Sequence, residues 1–168
     1  MKQKQTMSLK PSIDPTDLKI LKALQGDGRL SNADIAEQVS LSPSPCLRRL
    51  RRLEDEGVIE GYRPELNRRA LGLPMTVFVQ VKLHDHSAGS VRGFEQAVIA
   101  MPAVINAHTV SGSADYLLEV VVSDLSGYDR WVRQVQVLDM VLGIESNFGL
   151  RAVKTGAALP LPFPQAHR

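Results

Sequence analysis

The spacing of apolar residues changes period once along this chain, and that change limits what it can fold into. From residue 14 to residue 53 apolar side chains recur every three or four positions: Leu18, Leu21 and Leu24, then Ile35, Ala36 and Val39, then Leu47, Leu50 and Leu53. That is the period of a helix with one buried face. From residue 75 the pattern becomes β-branched and alternating, beginning with MTVFVQVKL at 75–83, which is the period of a strand. Two periods in 168 residues favour two small domains over one mixed core. The expected organisation is a flexible tail at 1–13, a helical domain at 14–63, a linker at 64–74 bounded by Pro64 and Pro74 with one helical turn near 67–71, and a second domain at 75–168.

Start and stop signals divide the helical part into three. Asp14 precedes Pro15, a capping residue followed by the residue best suited to the first helical position. Gly26 and Gly28 end that helix. Ser31 with Asp34 three residues on repeats the start signal as a capping box, and a second helix follows over 32–39. The turn at Ser40 and Leu41 leads to Ser42-Pro43, so a third helix begins there and ends at Gly57. Leu47, Leu50 and Leu53 are expected to face the core, with Arg48, Arg49, Arg51 and Arg52 between them pointing outward. Residues 58–63 read as a short strand and turn, in the place of a wing.

In the second part, strands are expected at 75–83, 104–110, 115–122 and 144–153, with helices at 88–101 and 126–139. Tyr128, Trp131, Val132 and Val135 lie on one face of the latter. The order β-α-β-β-α-β is that of a ferredoxin-like fold, which makes the whole chain α+β. Two helices cover only one face of a four-stranded sheet. The apolar strands at 76–83 and 116–122 therefore call for a second subunit on the other face, and a dimer is the minimum expected. The apolar, Pro-rich stretch 157–164 is expected to add an edge segment.

Charge is informative by its placement. The net charge is only +2, but residues 41–53 hold four arginines and no acid. A local basic cluster in a nearly neutral chain is what an element that meets phosphate requires. It sits on the third helix, after a turn short enough for a helix-turn-helix, and small Ala36 lets the helices approach. Acids at 54–56 repel phosphate, so DNA should meet the helix start. The expected DNA contacts are Ser42, Ser44 and Pro45 with Arg48, Arg49 and Arg52, while Arg51 points along the flank. The plain alternative is a three-helix bundle with solvated arginines. Phosphate contacts by arginine make affinity fall with salt.

Other classes are excluded by what the sequence lacks. It has no run of about 18 apolar residues, so no transmembrane helix is expected, and no secretory signal. The single cysteine, Cys46, cannot form an internal disulfide and fits the cytoplasm. In the basic helix start it could have a lowered thiol pKa, but a small packing residue is the simpler reading. The 105 residues from 64 onward show no Gly-rich phosphate loop, no paired nucleophile and base and no metal-ligand spacing, so neither an enzyme nor a cofactor is expected. His84-Asp85-His86 invites a metal reading, but adjacent residues at a strand end diverge and a solvated loop is the simpler account. Trp131 and Tyr128 read as core or interface anchors.

Several stretches together resemble the leucine-responsive/asparagine regulator family (Lrp/AsnC). They are Asp27-Gly28-Arg29-Leu30-Ser31-Asn32, the run from Leu41 to Glu54, and Gly57-Val58-Ile59-Glu60-Gly61-Tyr62. The later Val110-Ser111-Gly112, Asp115-Tyr116-Leu117-Leu118, Val153-Lys154-Thr155 and Leu159-Pro160-Leu161 also fit. The resemblance implies a winged or plain helix-turn-helix, then a ferredoxin-like domain that dimerises through its strands and assembles further, commonly to octamers. It implies a transcription regulator of double-stranded DNA whose affinity answers to an amino acid or related metabolite held between dimers, and the symmetric dimer expected from the open sheet face implies a pseudo-palindromic site. Carried over, the effector loop is Ser111, Gly112, Ser113, Ala114, Asp115 and Tyr116. The family usually has an acid and an aromatic where Ser113 and Ala114 stand, so the site here is expected to be roomier and less acidic. The alternative is a nucleoid-like architectural protein that binds DNA with no effector.

Overall fold

A computed structural model describes residues 12–162. The sequence-predicted flexible tail therefore falls almost wholly outside the described residues, as do the last two positions of the 157–164 stretch. The chain divides into two compact units, Met1–Pro64 with Lys154–Arg168, and Glu65–Val153.

The first unit is three helices: α1 (Pro15–Gly26), α2 (Asn32–Gln38) and α3 (Pro43–Asp55). The Asp14 carboxylate accepts from the N–H groups of Thr16 and Asp17, and the Asp17 carboxylate accepts from the Asp14 N–H, which closes a capping box. Ser31 and Asp34 repeat the device on α2. Ser40 takes φ +58°, and the Leu41 N–H reaches back to the Ala36 carbonyl at 2.9 Å. That left-handed residue makes the tight turn between α2 and α3. Ile20, Leu21, Ile35, Ala36, Val39, Cys46 and Leu53 form the core.

Three expectations for this unit need correction. On α3 the buried face runs Cys46, Leu50, Leu53, and Leu47 stands outside the core cluster. The i, i+4, i+7 series aims at one side, whereas 47, 50 and 53 drift around the helix. No strand forms at 58–63. Val58 and Ile59 both donate to the Leu53 carbonyl, at 2.9 and 3.0 Å, and pack on the core, so the segment closes the helix end instead of making a wing. Finally, the described residues of the C-terminal stretch, 157–162, add no edge to the sheet; they pack with α1, and the second unit ends at Val153.

The second unit is β1 (Met75–Leu83), α4 (Ala88–Ile99), β2 (Val104–Thr109), β3 (Tyr116–Val122), α5 (Leu125–Gln136) and β4 (Val141–Phe148). Residues 68–72 make the turn expected in the linker. The strands lie in the order β2-β3-β1-β4, all antiparallel. Val77, Val79, Val81 and Leu83 of β1 and Tyr116, Leu118, Val120 and Val122 of β3 point to one face, where Phe94, Val98, Tyr128, Trp131 and Val135 of the helices cover them. The alternate residues, among them Phe78 (43% exposed), Gln80, Leu117 and Glu119, point to the other face. β4 begins three residues earlier and ends five earlier than its alternation suggests. It is bounded by β1: Leu83 pairs with Val141 and Val77 with Phe148. Beyond that register Leu150 and Val153 are exposed despite their apolar side chains.

Candidate nucleic-acid interface and effector loop

The four arginines of α3 divide into two pairs. Arg48 and Arg51 are exposed and form no ion pair among the described residues. Arg49 and Arg52, three apart on the flank beside α1, turn inward instead of outward. Arg49 Nη1 lies 2.5 Å from Asp14 Oδ2 and 2.9 Å from Asp17 Oδ1, and Arg52 Nη2 lies 2.5 Å from Asp17 Oδ2. Asp17 is wholly buried. A carboxylate out of water needs compensating charge and hydrogen bonds, and it has two guanidinium groups and the Asp14 N–H. The hydrogen bond from the Asp17 N–H, aided by Arg49, holds the Asp14 carboxyl below its ordinary range. Both carboxylates raise Arg49 further above an ordinary arginine. The signal for this arrangement was present at Asp17, an acid flanked by apolar Leu18, Ile20 and Leu21 on the buried side of α1.

The start of α3 presents Ser42 and Ser44 to solvent, with Pro45 half-buried. Ser42 occupies the N-cap position, but its hydroxyl makes no cap hydrogen bond. Pro43 and Pro45 have no N–H, so only Ser44 among the first three helical residues has a backbone donor for an anion. Asn32, missed by sequence reasoning, ties the starts of α2 and α3 together: its Nδ2 donates to the Pro43 carbonyl at 2.9 Å. Cys46 is buried, and desolvation raises its thiol pKa, so it packs.

In the second unit five of the six expected effector residues, Ser111 to Asp115, lie in the loop between β2 and β3, and Tyr116 is the first residue of β3; their surroundings differ. Ser111, Gly112 and Ser113 are exposed, and Gly112 has φ +122°, a conformation that favours glycine. Ala114 and Tyr116 are buried. The Tyr116 ring packs 4.6 Å from that of Phe94, and its hydroxyl, pushed up in pKa chiefly by burial, donates to Glu95. Asp115 sits between. Its backbone bonds to Val81 and Val110; its Oδ2 accepts from the Leu83 N–H and its Oδ1 lies 2.8 Å from His86 Nε2, both at 2.8 Å. The Leu83 N–H and then His86 hold this carboxyl below its ordinary range. His84, Asp85 and His86 diverge: the His84 backbone bonds to Met140, Asp85 orders Ser87 and Ser90, and His86 meets Asp115. No helix among the described residues is long and apolar enough to cross a membrane.

A short-turn pair of helices presenting cations, followed by a βαββαβ unit with an exposed glycine loop, is the build of a DNA-binding regulator with a separate ligand domain. Comparison with known proteins gives the same division. Residues 13–60 match the winged helix-turn-helix DNA-binding model, and residues 76–159 match the Lrp/AsnC ligand binding domain. The chain is 42% identical over 150 residues to the Bkd operon transcriptional regulator of Pseudomonas aeruginosa, covering 89% of this chain and 98% of that one. It is 38% identical over 149 residues to a leucine-responsive regulatory protein of Rhizobium meliloti, covering 88% and 96%. A transcriptional regulator of Neisseria meningitidis, solved as a complex with L-Met, superposes with a TM-score of 0.86 at 34% identity, covering 90% of this chain and 98% of that one. This chain belongs to the Lrp/AsnC family of transcriptional regulators. It is a DNA-binding regulator with a small-molecule effector domain, and not an enzyme.

Proposed function

We propose that this regulator reads a pseudo-palindromic duplex site as a symmetric assembly in the cytoplasm, a dimer at least and an octamer by family habit, and that an amino acid with an apolar side chain tunes its affinity. The observation that carries the DNA reading is the division of the α3 arginines. Arg48 and Arg51 face solvent with Ser42, Ser44 and Pro45 at the helix start, while Arg49 and Arg52 brace the helix against Asp14 and Asp17. Arg48 and Arg51 then contact phosphate, and Arg49 and Arg52 act on DNA by holding α3 in place. The exposed sheet face with Phe78 supports a partner subunit.

For the effector, the Ser111–Gly112–Ser113 turn offers backbone N–H groups suited to an α-carboxylate, and Asp115 offers a carboxylate for an α-ammonium. The L-Met held by the neisserial regulator and the leucine-responsive name of the rhizobial relative make L-Met and L-Leu the first candidates.

The test is DNA-binding isotherms at several salt concentrations, with and without each amino acid. Arg48→Ala and Arg51→Ala should each weaken binding and lower the slope of log affinity against log salt by about 1. An Arg48/Arg51 double variant that stays folded and binds DNA as the wild type does would refute the interface. If no amino acid changes DNA affinity at millimolar concentration, the effector reading fails.

A further inference from the structure

The chain passes between its two units twice, at Pro64–Glu65 and again at Val153–Lys154. After β4 ends at Phe148 it runs on without regular structure, and residues 149–160 are exposed. It then docks on the DNA-binding unit. The Leu159 N–H donates to Gln25 Oε1 at 2.5 Å, and Gln25 Nε2 donates back to the Leu159 carbonyl at 3.4 Å. One side-chain amide thus engages both polar groups of one backbone residue. Leu161, two residues on, packs against the core cluster of α1 to α3. The segment walls a groove of about 480 Å³ with Leu18, Leu21, Leu24, Val58 and Tyr62. Eleven residues lead from Phe148 to Leu159, enough for roughly 40 Å at full extension and no more.

We propose that residues 149–161 form a strap: the Gln25 clip and the Leu161 seat give the DNA-binding unit a second tether to the ligand unit, and this tether fixes the half-site spacing that the assembly accepts. A unit joined by one linker swivels; a second short tether on a different part of its surface removes most of that freedom. In a two-headed protein the second head then finds its half-site at high effective concentration only when the spacing matches. A change in the ligand unit that moved the root of the strap at β4 would reach α1 directly. The proposal rests on the reading of a symmetric assembly on a two-part site.

The experiment uses the full chain and duplexes carrying two copies of the best half-site recovered by selection from a random pool, their spacing varied. One variant carries Gly-Ser-Gly-Ser inserted between Gly156 and Ala157, which slackens the strap and leaves its contacts intact. The other is Gln25→Leu, which removes the clip. The wild type should lose about tenfold or more in affinity when the spacing shifts by half a helical turn, about 5 base pairs. Both variants should lose less than about threefold, with unchanged affinity for a single half-site. Variants as spacing-selective as the wild type would overturn the strap. Variants that lose affinity for the single half-site would overturn it too, by making the segment an ordinary part of the DNA-binding unit. A wild type indifferent to spacing would remove the two-headed reading itself, and the strap with it.

Discussion

Replacing the buried Asp17 by Asn separates stability from charge in the DNA-binding unit. The carboxylate is wholly buried and holds Arg49 and Arg52 at 2.9 and 2.5 Å. Removing one partner of a buried pair costs about 3–5 kcal/mol when the other charge stays buried. Here the arginine side chains are 31% and 38% exposed, so they recover part of their hydration and the lower end, about 3 kcal/mol, applies. The amide oxygen can still accept from the Asp14 N–H, which spares most of the cap's ~1 kcal/mol. A loss of that size is a large part of the stability of so small a unit. Arg52 becomes free for phosphate while Arg49 keeps its ion pair with Asp14, so non-specific binding by the folded fraction should grow steeper in salt, by up to about 1 in slope. Chemical denaturation followed by hydrogen exchange at α1 and α3 amides measures the first effect, since Trp131 sits in the other unit and would not report it. Glu37→Ala, at an exposed site, is the control and should stay within about 0.5 kcal/mol. A loss below about 0.5 kcal/mol for Asp17→Asn would refute the clamp, and an unchanged salt slope would refute the release of Arg52.

Two more outcomes follow from the same geometry. Cys46 is buried with its thiol pKa raised by desolvation, so a thiol reagent should label the native protein only as fast as the first unit opens; rapid labelling at neutral pH would contradict its core position. Asp14 and Asp115 carboxyls lie below their ordinary value of 3.8, so each contributes stability that is present above that value and lost as pH falls through their lowered folded values. Acid titration followed by exchange of α1 amides and of the Leu83 amide should show protection failing on the acid side of pH 4; protection that fails on the alkaline side would reverse the assignment.

What was legible in the sequence is what local chemistry determines. Asp14-Pro15 and Ser31 with Asp34 satisfy or replace N–H groups within four residues of themselves, so the helix starts could be read directly. The bounds of β1 could be read because its alternation is carried by its own side chains. The change of period divided the chain, and the ordered motifs named the family. The tertiary structure decided whatever depends on a partner far along the chain. Arg49 looks like Arg48 until α1 brings Asp14 and Asp17 against it, 35 and 32 residues away in sequence. β4 ends where β1 stops offering partners, although its own apolar residues run further. Tyr116 belongs to the core because α4 places Phe94 and Glu95 against it. The C-terminal segment joins the DNA-binding unit because Gln25, 134 residues earlier, takes both polar groups of Leu159. Charge and backbone groups carry no mark of which distant partner will satisfy them; only the packed chain assigns it.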